Sequence, residues 1–222
     1  MGEPQAAAIV LAAGSGNRLG SDVSKALVKI AGVPMVTRAV RAVAAVTDLV
    51  VVAAPAGEEG LVRDAIDGGS GVRVVTGGPT RQASVRAALE LIPTDREVIV
   101  VHDAARPFAT GELFGSVVVA LVEGVDGVVP VIPISDTIKR IRGETVVATE
   151  DRAELGLAQT PQAFRASVLR EAHAKADAAG VDLTDDAAVL EWAGYRVSVV
   201  PGEPRNFKIT TPADLERADA RG

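Results

Sequence analysis

The 222-residue sequence contains no cysteine. That excludes disulfides, thiolate nucleophiles and cysteine-ligated zinc, and it leaves the compartment open. Its two histidines, His102 and His173, lie far apart in the chain, so a multi-histidine metal centre is not expected. Any metal would be a hard cation held by carboxylate and phosphate oxygens. No apolar run approaches the roughly 18 uninterrupted residues that suggest a membrane span. The first segment, Met1–Gly14, carries Glu3 rather than a basic stretch. Neither a membrane anchor nor a secretory leader is expected, and a cytoplasmic setting is. A net charge of −6 argues against broad nucleic-acid binding.

What is present is an ordinary globular composition, 48% apolar and 23% charged, on a chain of a size that fits one domain over residues 1–222. Short Val- and Ile-rich runs alternate with amphipathic stretches. Ala7–Ala12, Leu49–Ala54, Val72–Thr76 and Val98–Val101 predict buried strands. Pro34–Val46, with Pro34 at the first helical position, Glu59–Ile66 and Arg81–Ile92 predict helices between them. The expected fold is therefore α/β, a Rossmann-like and mostly parallel twisted sheet flanked by helices. Ligands in such sheets sit at the carboxyl ends of the strands, which directs attention to the loops after Ala12, Thr76 and Val101.

The alternation breaks between Val128 and Gln159. Val128–Ile134, Thr137–Ile141 and Thr145–Thr149 read as strands, with Arg142-Gly143-Glu144 as a hairpin turn. A lone hairpin is marginal in water, so residues 134–159 are expected to form a projecting arm that docks on a second subunit of a homodimer. Helices return at Ala166–Ala179 and Asp185–Ala193. Strands follow at Arg196–Val200 and Asn206–Thr210, and a last helix starts at Thr211-Pro212.

Against the acidic background, the segment Leu11–Ile30 is basic: Arg18, Lys25 and Lys29 face only Asp22. A local cationic patch suits a small anionic ligand. In the loop after the first strand, Ala12, Ala13, Gly14 and Gly16 let the backbone approach phosphate oxygens, and Arg18 adds a bidentate donor. The plain alternative is a glycine-rich turn of an ordinary Rossmann-like unit. The dinucleotide fingerprint fails, because Leu19 occupies the third glycine's place and Gly20 comes one position late. No Walker sequence follows either. Lys25 reads as a solvated charge or as a cation closing over a triphosphate. Asp103, at the end of the fourth strand, reads as a turn cap paired with Arg106 or as a ligand for Mg²⁺ between phosphates. His102 alternates away from Asp103 and reads as a packed core histidine. Gly77-Gly78 permits close approach to a base, with Ser84 in reach of its edge, and the same segment can simply start a helix.

These segments together resemble the 2-C-methyl-D-erythritol 4-phosphate cytidylyltransferase family of the non-mevalonate isoprenoid pathway. The blocks that carry the resemblance run in order over nearly the whole chain: Ala12-Ala13-Gly14-Ser15-Gly16-Asn17-Arg18; Gly77-Gly78, Arg81 and Ser84-Val85; Val101-His102-Asp103-Ala104-Ala105-Arg106-Pro107; Asp136-Thr137-Ile138-Lys139; Thr160-Pro161-Gln162; Thr184-Asp185-Asp186-Ala187; and Asn206-Phe207-Lys208-Ile209-Thr210. The His102–Pro107 block is the most specific, although ribitol-phosphate cytidylyltransferases share it. Two positions depart from the family's habit: Ser24-Lys25-Ala26 stands where Pro-Lys-Gln is usual, and Asn17 replaces a commoner Arg.

The resemblance implies transfer of CMP from CTP to a small polyol phosphate, with Arg18, Lys25, Arg152 and Lys208 as the catalytic set. Arg18 and Lys25 would stabilise charge on the α-phosphate and the departing pyrophosphate. Ala12, Ala13, Gly14, Gly16, Arg81 and Ala104 would join them in the CTP site, where Ser84 and the Gly77-Gly78 backbone read cytosine. Asp103, Arg106, Thr137, Thr160 and Thr184 would line the acceptor pocket. Lys208, with Arg152 from the neighbouring subunit's arm, would position the acceptor phosphate. Asp103 would also help bind Mg²⁺ or another divalent cation. No general base is needed, because the acceptor phosphate is already an anion at neutral pH. A cyclase domain of the kind fused to some family members is not expected. The alternatives are the same chemistry on ribitol 5-phosphate, a uridylyl- or guanylyltransferase, and a non-catalytic nucleotide-binding protein; a nicotinamide dehydrogenase is disfavoured by the failed fingerprint.

Overall fold

Segments of Val and Ala with no polar face can be buried on both sides only at the centre of a helix-covered sheet. The computed structural model, which describes residues 5–14, 24–66 and 71–221, puts them there. In chain order the elements are β1 (Ala6–Leu11), β2 (Lys29–Ile30), β3 (Val33–Pro34), α1 (Met35–Ala44), β4 (Val50–Ala54), α2 (Glu59–Ala65), β5 (Val72–Thr76), α3 (Arg81–Leu89), β6 (Val98–Asp103) and α4 (Gly111–Val119). Then come β7 (Gly127–Pro133), β8 (Lys139–Arg142), β9 (Thr145–Thr149), β10 (Gly156–Ala158), β11 (Gln162–Arg165), α5 (Ala166–Ala178), α6 (Asp186–Trp192), β12 (Val197–Pro201) and α7 (Pro212–Asp219).

The eight-stranded main sheet runs β10-β7-β11-β6-β1-β4-β5, with β12 on the other side of β7. β1 pairs in parallel with both β4 and β6. Alternation along β1 sends Ala6, Ala8 and Val10 to one face, which α1, α2 and α4 cover. Ala7 and Ile9 go to the other, covered by α3, α5 and α6. Chain order reverses between β1 and β6, and a crevice opens where the loops after them diverge. In register, Leu11 lies beside Asp103, so both loops leave the sheet at one edge.

The expected α/β architecture holds, with corrections. The sheet is mixed, because β11 runs antiparallel to both β6 and β7, and β10 antiparallel to β7. Neither strand was expected, since Gly156–Arg165 lacks an apolar alternation. α4 was also unassigned: its run Val117-Val118-Val119 has strand-like composition, but the Thr110 side chain accepts from Leu113 N–H and caps a helix. Pro34 ends β3 and stands at the N-cap of α1, one position before the expected one. Asn206–Thr210 is not a strand. Its alternation of Phe207 and Ile209 reflects packing into a small cluster with Val28, Ile30, Met35 and Ala218 instead of a ladder.

The arm is shorter than expected. Among the described residues β8 and β9 pair only with each other, and Gly143, at φ 57°, supplies the turn. Gly156–Ala158, counted in the arm from sequence, is a main-sheet strand, and a side chain at Gly156 would collide with Val131. The hairpin exposes Ile141 (66%), Val146 (57%) and Val147 (48%), an apolar surface unusual for a free strand pair.

Candidate active site

The carboxyl-end edge of the sheet holds a cleft of about 650 Å³ between the first loop (Leu11–Gly14), Lys25, the start of α3 (Gly78–Arg81, Ser84), the end of β6 (Asp103–Ala105) and Lys208. A smaller cavity of about 180 Å³ adjoins it, lined by Arg106, Thr160, Gln162, Thr184 and Asp185 among others. Arg81, Asp103 and Lys208 border both. They form the wall between a larger and a smaller compartment.

Asp103 is the centre of that wall. Its Oδ2 meets Lys208 Nζ at 2.7 Å, and its Oδ1 faces Arg81 Nε at 3.6 Å. Burial by itself would push the carboxyl up. The charges of Arg81 and Lys208, the Lys208 hydrogen bond and the charge of Arg106 outweigh it, and the group is held well below the usual carboxylate range. Asp103 is therefore a fixed anion at neutral pH, with a cation on either side.

The backbone around it is tied on both flanks. The Asp103 N–H donates to Thr160 Oγ1 (3.0 Å), and the Arg106 N–H donates to the Asp103 carbonyl (2.9 Å), closing a turn. His102 lies beneath, fully buried and edge-on to Phe114. Its Nε2 is 3.1 Å from the Arg106 carbonyl, which can only accept, so Nε2 carries the proton. Nδ1 is then the acceptor for the Thr160 hydroxyl at 3.1 Å. Burial, the largest influence, pushes His102 down to about 4. It is a neutral structural brace, as its alternation suggested.

Lys208 is brought in by the small cluster below it. Phe207 and Ile209 point down into apolar contacts, and Lys208 between them points up. The Ile209 N–H donates to the Ala105 carbonyl (2.9 Å), and Arg106 donates to the Asn206 (2.9 Å) and Ala158 (3.2 Å) carbonyls. The side-chain amide of Asn206, fully buried, donates to the Thr160 carbonyl (2.8 Å). The loops carrying Lys208, Asp103 and Thr160 thus form one hydrogen-bonded unit.

Of the residues singled out from sequence, Ala12, Ala13, Gly14, Lys25, Gly78, Arg81, Ser84, Asp103, Ala104 and Lys208 line the cleft, and Arg106, Thr160 and Thr184 the smaller cavity. Gly77 stands behind the loop: a Cβ there would come within 2.4 Å of the Ala13 Cβ. The Ser84 hydroxyl turns inward, accepting from Gly78 N–H (3.1 Å) and donating to the Thr80 carbonyl (2.9 Å), so it shapes the loop. Gly16 and Arg18 lie outside the described residues. Thr137 and Arg152 line neither cavity; Arg152 is exposed and donates to the Ser135 carbonyl. Sequence reading missed Asp186 and His173 as site residues. Their buried pair joins Arg81, and no local pattern announces a contact between separate helices.

Among the described residues there is no group of three or more His, Asp or Glu side chains able to hold a metal. Among the described residues the arrangement offers cations, the Asp103 carboxylate in the shared wall with Asp185 in the smaller cavity, and exposed backbone, which suits binding and orienting phosphates. The model of the family described as IspD, 2-C-methyl-D-erythritol 4-phosphate cytidylyltransferase, matches residues 6–221. The chain belongs to that family.

Its similarity to individual family members is high. The 2-C-methyl-D-erythritol 4-phosphate cytidylyltransferase of Saccharopolyspora erythraea is 47% identical over 220 residues, covering 96% of this chain and 97% of that one. The bifunctional enzyme IspD/IspF of Rhodopseudomonas palustris is 42% identical over 98% of this chain, which spans 55% of the relative's length. The crystal structure of the cytidylyltransferase from Thermus thermophilus superimposes with a TM-score of 0.80 at 34% identity, covering 96% of each chain. Within this cytidylyltransferase family member, the His102–Arg106 block is where motif and geometry coincide.

The His102 brace has a pH signature. Its folded value, about 4, lies below the usual 6.5, so the unfolded chain takes up a proton first as pH falls. The contribution to stability is complete above pH 6.5 and is lost as pH falls toward 4, amounting to about 3 kcal/mol. Denaturant unfolding across that window should show a steeper loss in the wild-type protein than in His102→Gln. Parallel curves would mean that His102 titrates equally in both states.

Proposed function

We propose that the chain transfers CMP from CTP to the phosphate of 2-C-methyl-D-erythritol 4-phosphate, releasing pyrophosphate. The observation that carries this reading is the Lys208–Asp103–Arg81 wall shared by the two cavities. A family member that joins two phosphorylated substrates needs both phosphates at one boundary. The larger cleft suits the nucleotide and the smaller the polyol phosphate.

In the transfer, an oxygen of the acceptor phosphate attacks the α-phosphorus. A new P–O bond forms while the bond to the β-phosphate breaks, and the electron pair leaves on pyrophosphate. No proton must move, which accords with a buried, neutral His102. Lys208 and Arg106 hold the acceptor phosphate, limiting its approach to the in-line direction. Lys25, with Arg18 from the first loop, carries the growing negative charge of the leaving group. The Gly78–Ser84 loop offers backbone groups to the base.

Asp103 is chemically suited to a divalent cation, being ionised and at the cleft. It would be a lone carboxylate ligand, leaving the remaining positions to phosphate oxygens and water, as Mg²⁺ prefers. Bound there, Mg²⁺ would neutralise triphosphate charge. The setting is cytoplasmic in this reading, and among the described residues no helix is long and apolar enough to cross a membrane.

The reading also includes a homodimer. Exposed Ile141, Val146 and Val147 give the arm an apolar surface to bury, and Arg152 and Thr137 at its base line neither of the two cavities described above. Docked reciprocally, the arm would carry both residues to the neighbour's acceptor pocket.

Pyrophosphate release tests the activity. CTP with methylerythritol phosphate should exceed each other nucleoside triphosphate, and ribitol 5-phosphate as acceptor, by about 100-fold in kcat/KM, roughly 3 kcal/mol of discrimination. Preference for ribitol phosphate or another nucleotide would replace the substrate assignment, and no release with any pair would remove the activity.

Subunit mixing tests the dimer. Arg152→Ala and Lys208→Ala proteins, each inactive alone, should regain about a quarter of wild-type sites after exchange, because mixed dimers hold one intact and one doubly damaged site. No recovery despite exchange proven by sedimentation would confine each site to one chain.

A further inference from the structure

Arg81 is the first residue of α3 and stands in the wall between the two cavities. Its shorter ion pair is not the one with Asp103. Nη1 meets Asp186 Oδ2 at 2.7 Å, whereas Nε is 3.6 Å from Asp103. Asp186 is the first residue of α6 and fully buried. Its other oxygen, Oδ1, accepts from His173 Nε2 on α5 at 2.9 Å, and His173 is only 1% exposed. Because a carboxylate can only accept, the ring proton sits on Nε2. A chain of charges and hydrogen bonds therefore runs His173–Asp186–Arg81–Asp103–Lys208, from a helix-packed interior to the cleft.

We infer that Asp186, braced by His173, is a positioning residue that sets Arg81 for nucleotide binding. Asp186 borders neither cavity, so it acts through Arg81. A guanidinium is a rigid planar fork, and fixing one donor fixes the direction of the others. Among the described residues Arg81 Nη2 has no hydrogen-bond partner, and Asp186 Oδ2 is held by its ion pair with Nη1 rather than by a hydrogen bond. The pair with Asp186 holds the cation upright between its two anions. Without it, Asp103 would be the strongest anion left in contact, and Arg81 would close on it in competition with Lys208.

The buried carboxylate is suited to this work only if charged. Burial pushes Asp186 upward, but the Arg81 charge and the His173 hydrogen bond more than offset it and lower the group below its ordinary value. Three helices, α3, α5 and α6, each contribute one member, so their packing on the common core transmits directly to the cleft. His173 orients the carboxylate as an outer hydrogen-bond partner orients a ligand in a metal site.

This rests on the nucleotide reading of the cleft, and the test keeps the two separate. CTP binding is measured by calorimetry on the full chain without acceptor, beside steady-state kinetics and thermal unfolding. Wild-type protein that binds no CTP would refute the nucleotide reading itself. If it binds, Asp186→Asn should weaken CTP binding and lower kcat/KM by about 10- to 100-fold. The double variant with Arg81→Ala should be no worse than Arg81→Ala alone, because both changes remove one interaction. Asp186→Asn within about twofold of wild type, or losses that multiply in the double variant, would overturn the inference. Should Asp186→Asn not fold, His173→Gln supplies the reading: CTP binding several-fold weaker, again non-additive with Arg81→Ala. Unchanged binding in folded His173→Gln would remove the brace.

Discussion

The ion pair of Asp103 with Lys208, flanked by Arg81, is the interaction on which the site depends. A carboxylate withdrawn from water is costly unless cations and hydrogen bonds surround it, and removing one partner leaves the rest exposed to that cost. Here the cost is met by residues from three distant parts of the chain. Arg81 comes from the start of α3, Lys208 from the loop before α7, and the backbone N–H of Asp103 is taken by Thr160. Such a pair is weak as a source of stability, but it forces those segments to one point. That point is where two cavities meet.

Everything nearby serves to keep the carboxylate there. β6 ends at the place where chain order reverses in the sheet, which delivers Asp103 to the crevice. His102, one residue earlier, faces the opposite way and locks the following turn through Arg106 and Thr160. Neighbouring positions on one strand thus divide the labour, one side chain fixing the backbone and the other facing the two cavities. The same division appears at Phe207, Lys208 and Ile209, where two apolar side chains anchor and the cation between them reaches out.

Much of this was legible from residues alone. The Val- and Ala-rich runs of β1, β4, β5 and β6 admit few alternatives, and the strand-end loops that they define contain the cleft. The Gly-rich first loop, Lys25 and Asp103 stand out because small residues and charges interrupt apolar patterns there, whereas Lys208 was singled out only through the resemblance of the Asn206–Thr210 block to the family's. The hidden parts depend on partners distant in sequence. β11 carries Gln162 and Arg165, so its period does not stand out, and only pairing with β6 and β7 makes it a strand. The Asn206–Thr210 alternation has the right period for a strand but no ladder to join. Asp186 and His173 look like ordinary first-turn and mid-helix polar residues, and their burial follows from how α5 and α6 pack, which no local pattern encodes.

If one carboxylate organises both compartments, removing its charge without changing its shape must affect both substrates. The direct measurement is the kinetics of folded Asp103→Asn with CTP and the polyol phosphate varied in turn. The account predicts kcat/KM at least about 100-fold lower for each substrate, by loss of charge-assisted contacts on both sides of the wall. A variant that turns over normally, or that loses specificity for one substrate while keeping the other, would contradict it.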